Sequence, residues 1–228
     1  MTWQFDEAKA AGPEHLAAEH VTAYDRKARF DPTSELQLLQ ALGLSSTSEV
    51  LDLGAGTGEF ALAAAKMCRR VVAVDISQTM LKVLHRKALQ ALATNLEVVN
   101  SGLLQFVPDG DFDFVYCRNT LHHLPDFWKV QALGRMHAAL RPGGVLRLRD
   151  LAFSFEPQES GVRIEAWLTQ AEQQPGGFPR AELEAHVRGE FSTFTWLLEP
   201  MLVRTGFALE SVVYSPSGIF AAYVCRRL

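Results

Sequence analysis

The stretch Val50-Leu51-Asp52-Leu53-Gly54-Ala55-Gly56-Thr57-Gly58-Glu59-Phe60-Ala61-Leu62 decides the fold: an apolar run breaks into glycines at alternate positions and then resumes with helical spacing. It reads as a strand, a tight turn and a helix beginning near Thr57. Gly54, Gly56 and Gly58 strip the turn of side chains, so a ligand can approach the backbone, and the helix behind it offers N–H groups that have no partner within the helix. This is the architecture of a nucleotide-type cofactor site.

Downstream, strand-like and helix-like segments alternate. Val71 to Asp75 is a β-branched run ending in a carboxylate, as expected of a buried parallel strand. Ser77-Gln78-Thr79-Met80 opens a helix whose apolar positions Met80, Leu81, Val83, Leu84, Ala88 and Leu92 share one face. Leu96 to Val99 fits a third strand, Phe112 to Cys117 a fourth, and Val145 to Leu151 a fifth, the last entered through the turn Arg141-Pro142-Gly143-Gly144. A helix starting at Pro125 and running to about Leu140 joins the last two. Such alternation predicts a parallel sheet with helices on both faces. Ligands of these sheets bind at the carboxyl ends of the strands, near the switch in strand order. One rim should therefore hold Gly54 to Gly58, Asp75, Asn100 to Gly102, Cys117 to His123, and Asp150.

Flanking segments depart from that rhythm. Residues 1 to about 45 read as a helical lead-in, broken at Asp31-Pro32. Residues 152 to 200 mix Phe153, Phe155, Trp167, Phe178, Phe191, Phe194 and Trp196 with Glu, Gln, Pro and Gly. As an insertion leaving the fifth strand, this segment either covers the site with its aromatics or forms a helical pair with its own small core. Pro200 predicts a kink or two short helices around it. Two terminal strands, Phe207 to Tyr214 and Ile219 to Cys225, form a hairpin across Ser215-Pro216-Ser217-Gly218.

Composition bounds the partners. A chain of 228 residues with 48% hydrophobic content accommodates one α/β domain with additions. The net charge of −4 and the lack of a long basic run give no support for nucleic-acid binding. The N-terminus lacks the basic flank and apolar stretch of a signal peptide, and no apolar run reaches membrane-spanning length, so a cytoplasmic location is the default expectation. Cys68, Cys117 and Cys225 are odd in number and widely spaced, predicting reduced thiols and no metal.

Two acids discriminate between cofactors. Asp75 at the end of its strand suits a pair of ribose hydroxyls. Glu59 stands where a dinucleotide fingerprint wants glycine or alanine, and its carboxylate would repel a pyrophosphate seated at the helix N-terminus.

The segments Val50 to Gly58, Val71 to Ile76, Phe112 to Leu124 with its His122-His123-Leu124, and Leu140 to Gly144 occur in this order. Together they resemble the class I S-adenosylmethionine-dependent methyltransferases over about residues 48 to 152. The resemblance implies a Rossmann-like three-layer αβα sandwich on a mostly parallel seven-stranded sheet, its last strand antiparallel. It also implies a lid at 1–45 and a methyltransferase domain at 46–228, in which 152–200 covers the substrate. By the same resemblance the backbone at Gly54 and Gly56 meets the methionine part of the cofactor, Asp52 orients the loop, Asp75 holds the ribose and Ile76 packs on the adenine. Arg118 and Asn119 would lie near the methionine carboxylate or the methyl group, and Tyr24 would close over them. The acid that the family often places after its third strand is replaced by Ser101, a weaker acceptor, leaving the backbone of Gly102 as the other adenine contact.

Methyl transfer from a sulfonium is an in-line displacement, so placing the nucleophile about 3 Å from the methyl carbon supplies much of the catalysis. A base is needed only if the acceptor must lose a proton. Candidates are His122, His123 and Asp150, with Tyr24 and His186 further off in sequence. The Asn/Asp-Pro-Pro-Tyr/Phe sequence typical of base or amide N-methylation is replaced by Arg118-Asn119-Thr120-Leu121, which disfavours DNA adenine and protein glutamine. The expected activity is methylation of an O, N or C atom of a small organic acceptor, yielding S-adenosylhomocysteine, by a monomer or homodimer without nucleic-acid or membrane partners. The competing readings are an NAD(P)-dependent oxidoreductase and a catalytically inactive S-adenosylmethionine-binding module.

Overall fold

The computed structural model describes residues 3–10, 18–174 and 176–228. Part of the expected lead-in, at 11–17, lies outside them. The lead-in contributes helices α1 (Glu7–Ala10), α2 (Ala18–Ala28) and α3 (Thr33–Ala41). Strands β1 (Glu49–Leu53), β2 (Arg70–Asp75), β3 (Leu96–Asn100) and β4 (Phe112–Arg118) alternate with helices α4 (Glu59–Ala65) and α5 (Gln78–Gln90). A 3-10 turn at Leu121–His123 and helix α6 (Asp126–Ala139) lead to β5 (Leu140–Phe153). Helices α7 (Ser160–Glu172) and α8 (Arg180–Gly189) follow, then β6 (Thr193–Phe194), α9 (Thr195–Arg204) and the hairpin β7 (Phe207–Tyr214) and β8 (Phe220–Arg227).

The sheet order is β3-β2-β1-β4-β5-β8-β7, with the two-residue β6 pairing β5 off this path. Strands β1 to β5 are mutually parallel, and β8 runs antiparallel between β5 and β7. The path thus has the seven strands expected, and β6 adds an eighth. The order reverses between β1 and β4, which are adjacent, so a cleft opens at their carboxyl ends.

Period-two alternation sorts the strand residues onto two cores. Leu51, Leu53, Val72, Val74, Val115 and Leu146 face α6 and α9, packing with Leu133, Met136, Leu198 and Leu202. Val50, Val71, Ala73, Phe114 and Val145 face α3, α4 and α5, packing with Leu39, Phe60, Ala64 and Leu84. Helices therefore cover both faces, and the α/β/α layering follows from the alternation. Truncating a residue such as the fully buried Leu133 to Ala removes about 2–5 kcal/mol of this packing.

Two local expectations are corrected. The Arg141 to Gly144 turn does not precede β5 but lies within it: pairing jumps from Phe112↔Leu140 to Phe114↔Val145, so the intervening residues loop out as a bulge. Gly144 is required there because a Cβ would lie 2.9 Å from the Arg141 carbonyl oxygen. The helix expected to break at Pro200 instead runs through it, from Thr195 to Arg204. Proline removes one backbone bond, and the burial of Leu198 and Leu202 on either side offsets that loss.

Candidate active site

The glycine loop is pinned between the two central strands. The N–H groups of Gly54 and Ala55 both donate to the Val74 carbonyl at the end of β2, at 2.9 and 3.0 Å. Gly54, Gly56 and Gly58 have φ of +77°, +54° and +86°, in the region that favours glycine. At Gly54 space is also limiting, since a Cβ would sit 2.0 Å from Thr120 Oγ1. The carboxylate of Asp75 accepts from Gly56 N on one oxygen and from Ser77 N on the other, both at 2.8 Å. It therefore locks the glycine loop to the start of α5, where Ser77 Oγ caps the helix by accepting from Met80 N.

Around this loop lies a small cavity of about 80 Å³. Gly54, Gly56, Asp75 and Ile76 form one side of it, Arg118, Asn119 and Thr120 the other. Tyr24 and His123 also line it, as expected, together with Met80, Leu103 and Leu124. Asn119 holds a left-handed backbone, φ +50°, uncommon for a non-glycine residue. Its N–H donates to the Arg149 carbonyl at 2.8 Å, and its side-chain oxygen accepts from the Arg149 guanidinium. Arg149 is half-buried, and desolvation, then the neighbouring Arg118 charge, lowers its pKa to about 10.

The lining residue with the least precedent in the sequence is Glu7. Its buried carboxylate enters the cavity from α1 and accepts from Leu104 N at 3.0 Å, with Leu103 N as a further donor. A Cβ on Gly102 would lie 2.1 Å from one of its oxygens. Burial raises its pKa, only partly opposed by the backbone donors. The segment after β3, where Ser101 replaces an acid, thus receives a carboxylate from elsewhere in the chain. The Ser101 hydroxyl itself turns to the Gly102 carbonyl.

Asp150 and His122, expected at the rim, sit behind it, as does Asp52, expected to orient the loop. Asp52 is buried, and its Oδ2 has no hydrogen-bond partner. Burial, then the nearby Asp75 charge, pushes its pKa well above the usual carboxylate range. Asp150 is buried too, accepting from the N–H groups of Leu121, His122 and Leu151 and bonding His122 Nδ1. Burial alone would depress the His122 pKa, but Asp150 and Glu190 outweigh it and raise it to about 9. Of the histidine pair, only His123 lines the cavity.

A family model described as "Methyltransferase domain" matches residues 50–144. The demethylmenaquinone methyltransferase of Lactiplantibacillus plantarum is 34% identical over 115 residues, 48% of this chain and 48% of that protein. An uncharacterised methyltransferase of Schizosaccharomyces pombe is 34% identical over 102 residues, 43% of this chain and 37% of that protein. These matches span less than half of each relative's length. Among solved structures, the magnesium protoporphyrin IX methyltransferase of Synechocystis with bound S-adenosylmethionine aligns over 100% of both chains, with a TM-score of 0.66 at 16% identity. A methyltransferase-like protein of Bacillus halodurans aligns over 84% of this chain and 97% of its own, with a TM-score of 0.64 at 19% identity. The chain has the class I S-adenosylmethionine-dependent methyltransferase fold. The [4+2]-cyclase SpnF shares that fold, with a TM-score of 0.63 at 15% identity over 85% of this chain and 80% of its own, so the fold alone does not name the reaction.

On this methyltransferase fold the lead-in supplies Glu7 and Tyr24 to the cavity lining, and the insertion abuts the lead-in beside it. Helix α2 is tied to α4 and α5 by Lys87 Nζ, which bridges Asp25 at 2.6 Å and Glu59 at 2.5 Å, while Asp25 also bonds Thr57 of the glycine loop. Glu59 is therefore paired, which softens the repulsion of a phosphate inferred from sequence. The insertion meets α2 through Lys27–Glu182 at 2.6 Å and through an edge-on contact of Tyr24 with Phe178 at 6.2 Å. Most of the other insertion aromatics turn away from the cavity. Phe153, Phe155, Phe194 and Trp167 gather with Ile219 and Phe220 in a small core of their own.

Sequence reasoning missed Glu7 and Glu190. Glu7 precedes the described part of the main lead-in helix without a motif, and Glu190 ends α8 far from the pair it contacts. The only usable signal for either was the absence of a carboxylate at Ser101 and the presence of two adjacent histidines in want of partners.

Proposed function

We propose that this chain binds S-adenosylmethionine in the cavity and transfers its methyl group to a small organic acceptor. The carrying observation is the convergence of Gly54, Gly56, Asp75 and Ile76 with Asn119 at the switch between β1 and β4. Side-chain-free backbone from the loop suits the amino-acid end, the rigid Asp75 carboxylate suits ribose hydroxyls, and Ile76 with Leu103 suits an adenine ring. The Asp75 carboxylate beside the loop, whose charge adds to burial in raising the Asp52 pKa, suits a cationic cofactor better than a phosphate-bearing one.

The cofactor supplies an electrophilic methyl carbon on a sulfonium. What the chain's own residues do is hold the two partners in line and exclude water. A neutral O or N acceptor would also have to release a proton. His123, the imidazole on the cavity wall, is placed to take it; Asp150 and His122 act behind it by fixing the end of β4. The insertion at 152–200 and the lid at 1–45 bound the acceptor side, Phe178 and Tyr24 being their point of meeting.

Calorimetry with S-adenosylmethionine against NAD(H) tests the cofactor, and preferential binding of NAD(H) overturns it. Release of S-adenosylhomocysteine with a panel of phenols, quinols, amines and a macromolecular fraction tests the acceptor. Quinols belong in that panel because relatives named demethylmenaquinone methyltransferase are among those matched. Label incorporated only into macromolecules would refute the small-acceptor reading.

A further inference from the structure

Behind His123, where the end of β4 meets the insertion, imidazoles and carboxylates converge. His122 Nδ1 bonds Asp150, and its Nε2 lies 3.1 Å from Glu190 Oε2. His123 Nδ1 is 3.9 Å from Glu190 Oε1. His186 Nδ1 contacts Glu190 Oε2, while its Nε2 is 3.3 Å from Ser192 Oγ. One nitrogen each from His122 and His123 and one oxygen from Glu190 lie within 4.8 Å of one another.

We propose that His122, His123 and Glu190 form a binding site for one divalent first-row transition-metal cation of the Zn2+ class, with His186 positioning the carboxylate. Four observations carry this. The donors are imidazole and carboxylate, the set that such cations select over Mg2+ or Ca2+, which favour all-oxygen shells. The orientation is that of a metal-ligating histidine: Asp150 engages Nδ1, leaving Nε2 directed at Glu190, and Asp150 is itself fixed by three backbone N–H groups. The spacing is close to what coordination needs, because bonds of about 2.0–2.1 Å in a tetrahedron put ligand atoms roughly 3.3 Å apart. The histidine–carboxylate distances of 3.1 and 3.9 Å are within an ångström of that, and the widest separation in the trio, up to 4.8 Å, would close by about 1.5 Å on binding. Finally, two further imidazole nitrogens, Nδ1 of His123 and Nδ1 of His186, gather on the same carboxylate that faces His122 Nε2.

The segment bearing Glu190 is held for this purpose by main-chain bonds. Phe191 N donates to the His122 carbonyl at 2.8 Å, and the buried Lys129 ammonium donates to the Phe191 carbonyl. The absence of metal expected from the cysteine pattern does not bear on this site, since its carboxylate lies in the insertion and reaches the histidines only in the fold. Three protein ligands leave a fourth position for water or another oxygen ligand. If the proposed methyl transfer holds, an acceptor hydroxyl bound there would lose its proton more readily, to solvent, and metal-bound His123 would then serve as a ligand in place of a base.

The test needs no methyl transfer. Chelator-treated full-length protein is titrated with Zn2+ by calorimetry, and with Co2+ by visible absorption, whose intensity reports low-symmetry nitrogen and oxygen ligation. One ion per chain is expected. Glu190→Gln and His123→Gln, which remove ligands, should weaken binding by more than the roughly 10–100-fold that loss of an outer partner costs. His186→Gln should weaken it less, and His85→Gln on the exposed face of α5 should leave it unchanged. Circular dichroism and a thermal melt establish that each variant is folded, and His122, being buried, is left intact. No saturable binding of either ion, or binding that folded Glu190→Gln and His123→Gln retain in full, overturns the proposal. Loss of metal binding without loss of S-adenosylmethionine binding, and the converse, separate this site from the proposed cofactor site.

Discussion

Replacing Glu7 by Ala is expected to tighten S-adenosylmethionine binding. The carboxylate occupies backbone donors of Leu103 and Leu104 in a cavity of about 80 Å³, far below the roughly 300–1,000 Å³ that organic ligands of this size fill. An adenine between Ile76 and Leu103 must therefore displace it. Hydrogen bonds to a charged group are worth roughly 1.5–3 kcal/mol each, but the raised pKa shows that desolvation of this carboxylate exceeds what those donors return. Taking the docked carboxylate to be favoured by about 1 kcal/mol, the net scale of one hydrogen bond, Glu7→Ala should lower Kd about fivefold. Acidity should act in the opposite sense. A carboxyl with a raised pKa in the docked state stabilises that state below its ordinary pKa and loses the contribution as pH rises through the raised value. Wild-type affinity should thus fall from neutral to mildly acidic pH, while that of Glu7→Ala should stay flat. Calorimetry on both proteins at the two pH values reads the effect. Weaker binding by folded Glu7→Ala would refute the reasoning and make Glu7 a cofactor contact, an acid brought by the lid to stand in for Ser101.

Other outcomes follow from the same geometry. Asp75→Ala should weaken S-adenosylmethionine binding by roughly 1–3 kcal/mol in calorimetry, through the loss of charge-assisted bonds and of the loop anchor at Gly56 N; unchanged affinity would remove the ribose from that position. Gly54→Ala should abolish cofactor binding or soluble expression, because a Cβ there meets Thr120 at 2.0 Å on a left-handed backbone, and Thr120→Ala should restore it only in part. Arg147 and Glu35 form a buried bidentate pair at 2.7 and 3.0 Å between β5 and α3. Arg147→Met should cost about 3–5 kcal/mol in urea denaturation by stranding Glu35, and adding Glu35→Leu should recover most of it.

How much was legible depended on whether the signal was local. The strands β1 to β4 and the glycine loop were, because hydrophobic alternation and the positive-φ demands of Gly54, Gly56 and Gly58 are properties of a few consecutive residues. Asp75 and His123 were placed correctly because topology alone sends the strand ends to one rim. The bulge inside β5 was not readable: Arg141 to Gly144 has the composition of a free turn, and only pairing with β4 converts it into looped-out residues within a strand. Pro200 was misread for a related reason, since the packing of Leu198 and Leu202 on the sheet overrides a local penalty. Glu7 and Glu190 are the far limit. Each becomes part of a site only through contacts across about a hundred or about seventy residues of chain, for which no periodicity exists.

The two covers follow from one physical constraint. The parallel sheet ends its strands at a rim of backbone and charged side chains that a methyl transfer must shield from water, yet the strands themselves cannot reach over it. The chain meets this with segments from both ends of the fold. Helix α2 is anchored by the Asp25–Lys87–Glu59 bridge, and the insertion by Phe191 against His122 and Lys129. Between them the contact is slight, one ion pair at Lys27–Glu182 and one aromatic edge at Tyr24–Phe178. A partly exposed ion pair is worth at most about 1 kcal/mol, and an aromatic pair about 0.5–1.5 kcal/mol. Strong anchors on each flank with a weak seam between them would let the two segments part without unfolding either, and we propose that seam as the acceptor's entry. Lys27→Ala with Phe178→Ala should therefore change acceptor KM, read as initial rates over acceptor concentration, while leaving the S-adenosylmethionine Kd within about twofold.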